Sequence, residues 1–391
     1  MNSKLVILGG GAAGVLIAMK LASQNIDVTL IDSKTFYEYT PALCSVLYEE
    51  TDAKFHQHFS EISFELEPFL REINVEFILG NAKLIKDDKV FIHQQEEGIE
   101  YDYLVICTGS SYADPWKTQN GTECIDLNRR INFLNEQRDK YKQAQRILCI
   151  GGGPVGVEVA TEISYRAPGK KITLVDMNKT VLANAPDGIG NNAQRILNAR
   201  ESITSIMEQS ASQKGQEGNT YIYETDKSHT EIKADLVYNC IGVTPNSEFL
   251  QANHADWLNE KKQIIVDPGL RVTSNVFAVG DVNSVNEPKM FYTAHMQAIH
   301  FVRNMSRIIK NNTNVENLIP YHPSRPNMIV SMGPQYAIGY VSGIKLTGWP
   351  LGLNKGSHLA SWGKYTIERV SMNSCHLKIP VNEVLYLTSR P

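Results

Sequence analysis

Two glycine-rich stretches hold the residues whose spacing points most directly to chemistry. Gly9-Gly10-Gly11-Ala12-Ala13-Gly14 follows the apolar run KLVIL and precedes a helical pattern, and Asp32 closes the next apolar run, eighteen residues beyond Gly14. In such a G-x-G-x-x-G turn, Gly9 permits the tight bend, Gly11 lets the backbone approach a pyrophosphate and Gly14 lets the helix lie on the strand. The helix N-terminus then faces the phosphate charge, and an acid placed like Asp32 accepts hydrogen bonds from an adenosine ribose. Gly151-Gly152-Gly153-Pro154-Val155-Gly156 repeats the arrangement, with Asp176 closing KITLVD. The chain is therefore expected to hold two dinucleotide sites. An acid at position 176 repels a 2′-phosphate, so NADH is expected ahead of NADPH, with Lys179 nearby softening the preference.

Elements of matching type surround both loops. KLVIL (4–8), VTLI (28–31), RILCI (146–150) and ITLV (172–175) are short, β-branched and non-alternating, as parallel strands covered on both faces should be. GVLIAMKLAS (14–23) and GVEVATEISYR (156–166) read as the helices after each loop, which gives two βαβ units. Further buried runs at 103–107, 235–240 and 276–279 each lead to a glycine, Gly109, Gly242 or Gly280, where α/β sheets bind ligands. The polar stretch 210–231 reads as a surface excursion around one strand, TYIYET. Short β-rich segments broken by Gly and Pro follow Asn327 and indicate a separate C-terminal domain from about residue 321.

The strand 273–281, TSNVFAVGD, ends in Gly280-Asp281 ahead of a helical segment. It resembles the second flavin motif of the two-dinucleotide-binding flavoprotein reductases, and YDYLVICTGS (101–110), with Thr108 and Gly109, is similar to their "ATG" strand. Within that superfamily the PAL segment at 41–43, the GGGPVGVEVATEI block, DLVYNCIGVTPN and PKMFYTAH look most like the ferroptosis-suppressor and apoptosis-inducing-factor-like quinone reductases, with type II NADH dehydrogenases as neighbours. The resemblance implies FAD, with Asp281 on its ribitol chain. It also implies that Glu158 lies beside nicotinamide and flavin, and that Lys289 lies near the flavin ring. Glu158 has another reading, as an acid complementing a helix dipole, and Lys289 as a surface lysine. A quinone is then expected near Tyr39, Pro41, Lys289 and Tyr292. The disulfide-reductase branch carries CxxxxC after its first acid, whereas this region holds only Cys44, so electrons are expected to leave the flavin directly.

Composition narrows the remaining classes. The 391 residues, 42% hydrophobic and 20% charged, suit two or three folded domains, and no apolar run is long enough to span a bilayer. A net charge of -4 gives no general attraction to nucleic acid. The six cysteines include no CxxC pair, and three sit in apolar runs, as in a reducing compartment. His56 with His58, and His295 with His300, lack further metal-ligand spacing, so no metal is expected. With the first strand under way by Leu5 no cleavable signal is expected, and with Asn2 where myristoylation needs glycine no such anchor is expected.

The expected fold is α/β: two Rossmann-like domains, with the NADH domain (121–240) inserted between the FAD segments (1–120 and 241–320), and a β-rich α+β domain at 321–391. The function expected is an FAD-dependent NAD(P)H:quinone oxidoreductase. A ferredoxin- or rubredoxin-type reductase and a non-catalytic flavoprotein subunit remain alternatives, and a homodimer is open. Residues 340–391 carry Lys345, Lys355, Lys364, Arg369, Lys378 and Arg390 against Glu368 and Glu383, a local charge of +4, together with Trp349 and Trp362. That combination predicts peripheral contact with an anionic membrane, in the cytoplasm or mitochondrion, although no amphipathic helix is evident there.

Overall fold

The computed structural model describes residues 2–117, 124–186, 188–311, 313–323, 327–348 and 355–377. Strands β1 (Ser3–Leu8), β2 (Ile26–Asp32), β3 (Glu76–Leu79) and β4 (Tyr103–Ile106) join a distant fifth strand in one sheet. A second sheet uses β5 (Arg146–Ile150), β6 (Lys171–Asp176), β7 (Ile203–Met207) and, beyond a meander of β8 (Ala211–Glu217), β9 (Thr220–Thr225) and β10 (Glu231–Ala234), strand β11 (Leu236–Asn239). Strand β12 (Val276–Ala278) completes the first sheet, whose order is β12-β4-β1-β2-β3; the second runs β7-β6-β5-β11. All pairings in both sheets are parallel. The first sheet therefore draws on chain segments either side of the second.

The non-alternating strands are buried on two faces, as their composition requires. Leu5 and Ile7 of β1 join one apolar cluster, while Val6 and Leu8, pointing oppositely, join another. Ile147 and Cys149 likewise separate from Leu148. Helix α1 (Ala12–Leu21) returns over the first sheet and α2 (Leu43–Val46) and α3 (Asp52–Glu61) follow; α4 (Pro154–Arg166) returns over the second sheet, and α5 (Phe291–Asn311) packs on α1. Because every strand is parallel, the glycines after β1, β4, β5, β11 and β12 all lie at carboxyl-terminal strand edges, where α/β sheets open to ligands.

Three local expectations need correction. The excursion at 210–231 is a three-stranded antiparallel meander and not a single strand, because the turn at Gly218 (φ +59°) folds polar β8 onto TYIYET, and pairing overrides its weak β-propensity. The helix expected directly after Asp281 begins only at Phe291, past Pro288, which lacks the amide a helix interior needs. In the C-terminal segment, the antiparallel strands β13 (Met328–Ser331), β14 (Ala337–Val341) and β15 (Ile344–Leu346) are joined by a twenty-residue helix, α6 (His358–Leu377). Ser357 was the overlooked signal, since its hydroxyl accepts the Ala360 amide at 3.2 Å as an N-cap.

Candidate functional site

The two glycine loops have nearly the same geometry. Gly9 (φ +105°) and Gly151 (φ +109°) take backbone angles that glycine tolerates, and a Cβ on Gly14 or Gly156 would stand 1.8 or 1.9 Å from the Gly9 or Gly151 carbonyl oxygen. Helix and strand thus approach as closely as backbone allows. At Gly11 and Gly153 an added Cβ would meet nothing within 4 Å, and neither helix start has a side-chain cap. Backbone donors at both helix starts therefore face open space, which is what an anionic diphosphate requires. Asp32 Oδ2 accepts the Gly10 amide at 2.5 Å and Oδ1 the Lys34 amide at 2.8 Å. Asp176 repeats the motif, taking Gly152 N at 2.6 Å and Asn178 N at 2.7 Å. Each acid fixes its loop while keeping lone pairs for a ribose.

The carboxyl edge of the first sheet closes around Thr108, Gly109 and Asp281. Thr108 Oγ1 donates to the Asn246 carbonyl at 2.7 Å, and Asn246 Nδ2 donates back to the Thr108 carbonyl at 2.9 Å. Gly280 (φ +90°) donates its amide to Gln297 Oε1 at 2.6 Å. Asp281 Oδ2 accepts from Ser110 Oγ at 2.7 Å and Lys117 Nζ at 3.1 Å. Burial opposes its charge, but Lys117, Ser110 and Lys289 outweigh that and hold its carboxyl below the usual range. An added Cβ at Gly109, as at Gly11, would meet nothing within 4 Å, so both turns of this edge leave the backbone open to a ligand.

Glu158 has a partner that sequence reading did not supply. It is buried on α4, accepts the Ser331 amide at 3.0 Å, and forms an ion pair with Lys364 of α6, whose ammonium also donates to Ser331 Oγ at 2.9 Å. Lys364, one of the basic residues expected to face a membrane, instead turns its ammonium inward because a buried carboxylate needs a countercharge. Burial would depress this ammonium, but Glu158 more than compensates and raises it. The Cys44 thiol is hydrogen-bonded to Glu158 and pushed well up, first by burial and then by that carboxylate, so it is a poor nucleophile.

The remaining predicted residues separate into two settings. Lys289 is anchored, its ammonium donating to the carbonyls of Asn283 at 2.7 Å and Val285 at 3.1 Å, and burial lowers its affinity for a proton. Tyr39 packs edge-on against Phe291, with ring centroids 4.6 Å apart, and Pro41 lies in the adjoining 3-10 turn. Tyr292, next on α5, accepts from Asn327 Nδ2 at 3.0 Å. The His295 ring lies tilted against Phe291 with centroids 4.2 Å apart, and burial pushes its pKa down to about 3, so it is neutral.

His58 serves in a charged clasp that binds α6 to the body. Its Nδ1 meets Glu49 at 3.0 Å and its Nε2 meets Glu368 at 3.4 Å, while Arg166 bridges Glu49 at 3.1 Å and Glu162 at 3.0 Å. Burial opposes the His58 charge, yet Glu368 and Glu49 push it up to about 9; burial likewise opposes Glu49, which His58 and Arg166 bring to about 2. A raised histidine stabilises fully below its unfolded value of 6.5 and loses that contribution as pH rises through 9. Glu49 contributes above 4.5 and loses it on descent through 2. Thermal melts should therefore show stability falling between pH 6.5 and 9, by about 3 kcal/mol counted once for the clasp. The same decline in His58→Gln would assign the loss to other groups. Among the described residues no three His, Cys, Asp or Glu side chains are grouped to hold a metal.

Comparison with known proteins places these features in a wider set. The sequence model of the pyridine nucleotide-disulphide oxidoreductases matches residues 3–298. Ferroptosis suppressor protein 1 of Xenopus tropicalis is 29% identical over 356 residues, covering 88% of this chain and 90% of that protein. Apoptosis-inducing factor homolog A of Dictyostelium discoideum is also 29% identical over 356 residues, covering 85% and 84%. The sulfide:quinone oxidoreductase of Aquifex aeolicus shares the fold at a TM-score of 0.73 and 20% identity, over 100% of this chain and 96% of that one. The NDH2 structure from Plasmodium falciparum gives 0.71 at 14% identity, covering 100% and 99%.

Proposed function

The chain belongs to the pyridine nucleotide-disulphide oxidoreductase family, and on that premise we propose that it oxidises NADH through bound FAD and passes the electrons to a quinone. The observation that carries this reading is the pair of matched glycine loops, one at the carboxyl edge of each parallel sheet. Residues 1–120 and 241–320 are assigned to FAD, 121–240 to NADH, and 321–391 to a separate C-terminal unit.

FAD, when bound, supplies the two-electron chemistry that lets a nicotinamide donor reduce a quinone. Gly11 and Gly14 with the α1 amides, Asp32, Thr108, Gly109 and Asp281 would hold it; Gly151, Gly153, Gly156 and Asp176 would hold NADH. Glu158 and Lys364 present a paired charge between α4 and α6, beside the Cys44 region, and can orient a polar ring. With Cys44 buried and protonated, a thiol relay is disfavoured. Tyr39, packed edge-on against Phe291, with Pro41 in the adjoining turn and Tyr292 next on α5, supplies the apolar and aromatic side chains that a quinone ring would contact. Exposed Met177, Ile241 and Val243 lie on the loops after β6 and β11, where a dinucleotide would cover them.

Visible spectroscopy tests this directly. Purified protein should be yellow, bleach anaerobically with NADH much faster than with NADPH, and regain colour with a short-chain quinone. Asp176→Ala should narrow the nucleotide gap by about tenfold, the effect of one lost charge-assisted contact. Protein that takes up no FAD, or that NADPH reduces equally fast, would contradict the assignment. FAD that NADH cannot bleach would point to a non-catalytic subunit.

The reading includes membrane contact through the C-terminal segment. Leu359, Trp362 and Tyr365 of α6 are exposed, Trp362 by 66%, and Arg369 lies over the Tyr365 ring at 4.6 Å. Lys345 and Lys355 are also exposed, whereas Trp349, Lys378, Glu383 and Arg390 lie outside the described residues. Among the described residues no helix is long and apolar enough to cross a bilayer, so the contact would be peripheral. Trp362→Ser should reduce co-sedimentation with anionic liposomes at low salt several-fold; equal pelleting of wild type with anionic and neutral vesicles would remove this part of the proposal.

A further inference from the structure

The cation beside Asp281 has a use that no sequence motif assigned. Lys117 reaches across the fold from the segment after β4, placing its ammonium 2.8 Å from Ser110 Oγ and 3.1 Å from Asp281 Oδ2. Its side chain is 30% exposed, whereas that of Asp281 is 13% exposed, so the lysine is the member of the pair that solvent or a ligand reaches more easily. The location is beside the first glycine loop, because a Cβ on Gly280 would stand 3.8 Å from Ala13 Cβ in the first turn of α1.

Charge balance then singles this lysine out. Asp32 and Asp281 are both acids of this cleft, and a dinucleotide diphosphate would add a doubly charged anion to them. Amides at the α1 start can meet part of that charge. Lys289, although it faces Asp281, is tied to two backbone carbonyls. Among the described residues, Lys117 is bonded to a hydroxyl and to the very carboxylate that a sugar-alcohol chain would engage.

On the flavin reading above, we propose that Lys117 is the cation that receives the diphosphate of the flavin dinucleotide, moving from Asp281 to a phosphate oxygen when cofactor hydroxyls occupy Asp281. No bond is made or broken, and the charge of Asp281 is compensated before binding and that of the diphosphate after it.

Deflavinated protein titrated with FAD, riboflavin and ADP tests the exchange by fluorescence and competition. Lys117→Met should weaken FAD and ADP by about ten- to hundredfold, flatten the salt dependence of both, and leave riboflavin unchanged. Lys117→Arg should retain affinity, which separates charge from folding. Unchanged or tighter FAD binding by Lys117→Met would overturn the proposal, as would an equal loss for riboflavin. Wild type that binds no FAD at all would instead overturn the flavin reading itself.

Discussion

Gly14→Ala is expected to destabilise the fold strongly, while Gly11→Ala folds normally and loses its flavin. The added methyl at position 14 would stand 1.8 Å from the Gly9 carbonyl oxygen and 3.3 Å from Ile7 Cγ2, inside a helix-strand contact with no slack. Gly9 cannot yield, because its φ of +105° already belongs to glycine and a Cβ there would itself collide with the Cys107 carbonyl at 2.3 Å. Relief requires α1 to move away from β1, separating Val15 and Ile17 from the apolar cluster they share with Leu5 and Ile7. Overpacking of this kind costs 1 to 3 kcal/mol where side chains can adjust, and about 3 kcal/mol or more is expected here, where backbone faces backbone. At Gly11 the methyl meets nothing within 4 Å, so unfolding should shift by no more than about 1 kcal/mol. It would nonetheless occupy the path by which a diphosphate reaches the α1 amides. Thermal unfolding and flavin titration of both variants decide the matter, and wild-type flavin affinity in Gly11→Ala would show that the loop serves packing alone.

The contrast between those glycines explains why so much of the fold could be read from sequence. Gly9, Gly14, Gly151 and Gly156 are dictated by short-range backbone contacts, and such contacts leave a fixed spacing in the chain. The strands β1, β2, β5 and β6 were equally legible, since burial on both faces demands unbroken β-branched runs. Strands β3 (EFIL) and β7 (ITSIM) were not singled out, being edge strands with one protected side and a mixed composition. The meander was missed because β8, ASQKGQE, becomes a strand only when a turn presents it to β9. Helix α6 carries Gly363 and several Ser and Thr residues, so propensity argued against it; it is held by packing on β13 and β14 and by charges set on its inner face.

The site divides along the same line. The positions of Asp32, Asp176 and Asp281 were legible because the first two close a strand and the third follows the glycine turn after one. Lys364 could not be paired with Glu158 by spacing, because 206 residues separate them and nothing in either local sequence names the other. Lys117 is equally remote from Asp281, 164 residues away. Long-range pairs of this kind are set by topology, and the inward turn of Lys364 shows how a basic count alone misassigns a residue whose countercharge lies elsewhere in the fold.

Removing one member of the Glu158–Lys364 pair is therefore expected to do more harm than removing both. Glu158→Gln keeps the size of the side chain and the acceptor for the Ser331 amide but leaves the Lys364 ammonium enclosed without its countercharge, which costs about 3 kcal/mol, the lower end for a buried pair because part of the lysine stem remains exposed. Lys364→Met strands the carboxylate, with the Ser331 amide as partial compensation, and should cost somewhat less. The double variant should return to within about 1 kcal/mol of wild type, since matched neutral groups can replace a buried ion pair with little loss. Stability alone would leave the pair a brace between α4 and α6. The chemical role is read from anaerobic reduction by NADH followed by reoxidation with a short-chain quinone: if the paired charge orients the reacting rings, the double variant regains its stability yet turns over at least tenfold more slowly than wild type. Turnover that recovered together with stability would reduce Glu158 and Lys364 to structural residues and leave the orientation of the rings to the aromatic pair of Tyr39 and Phe291.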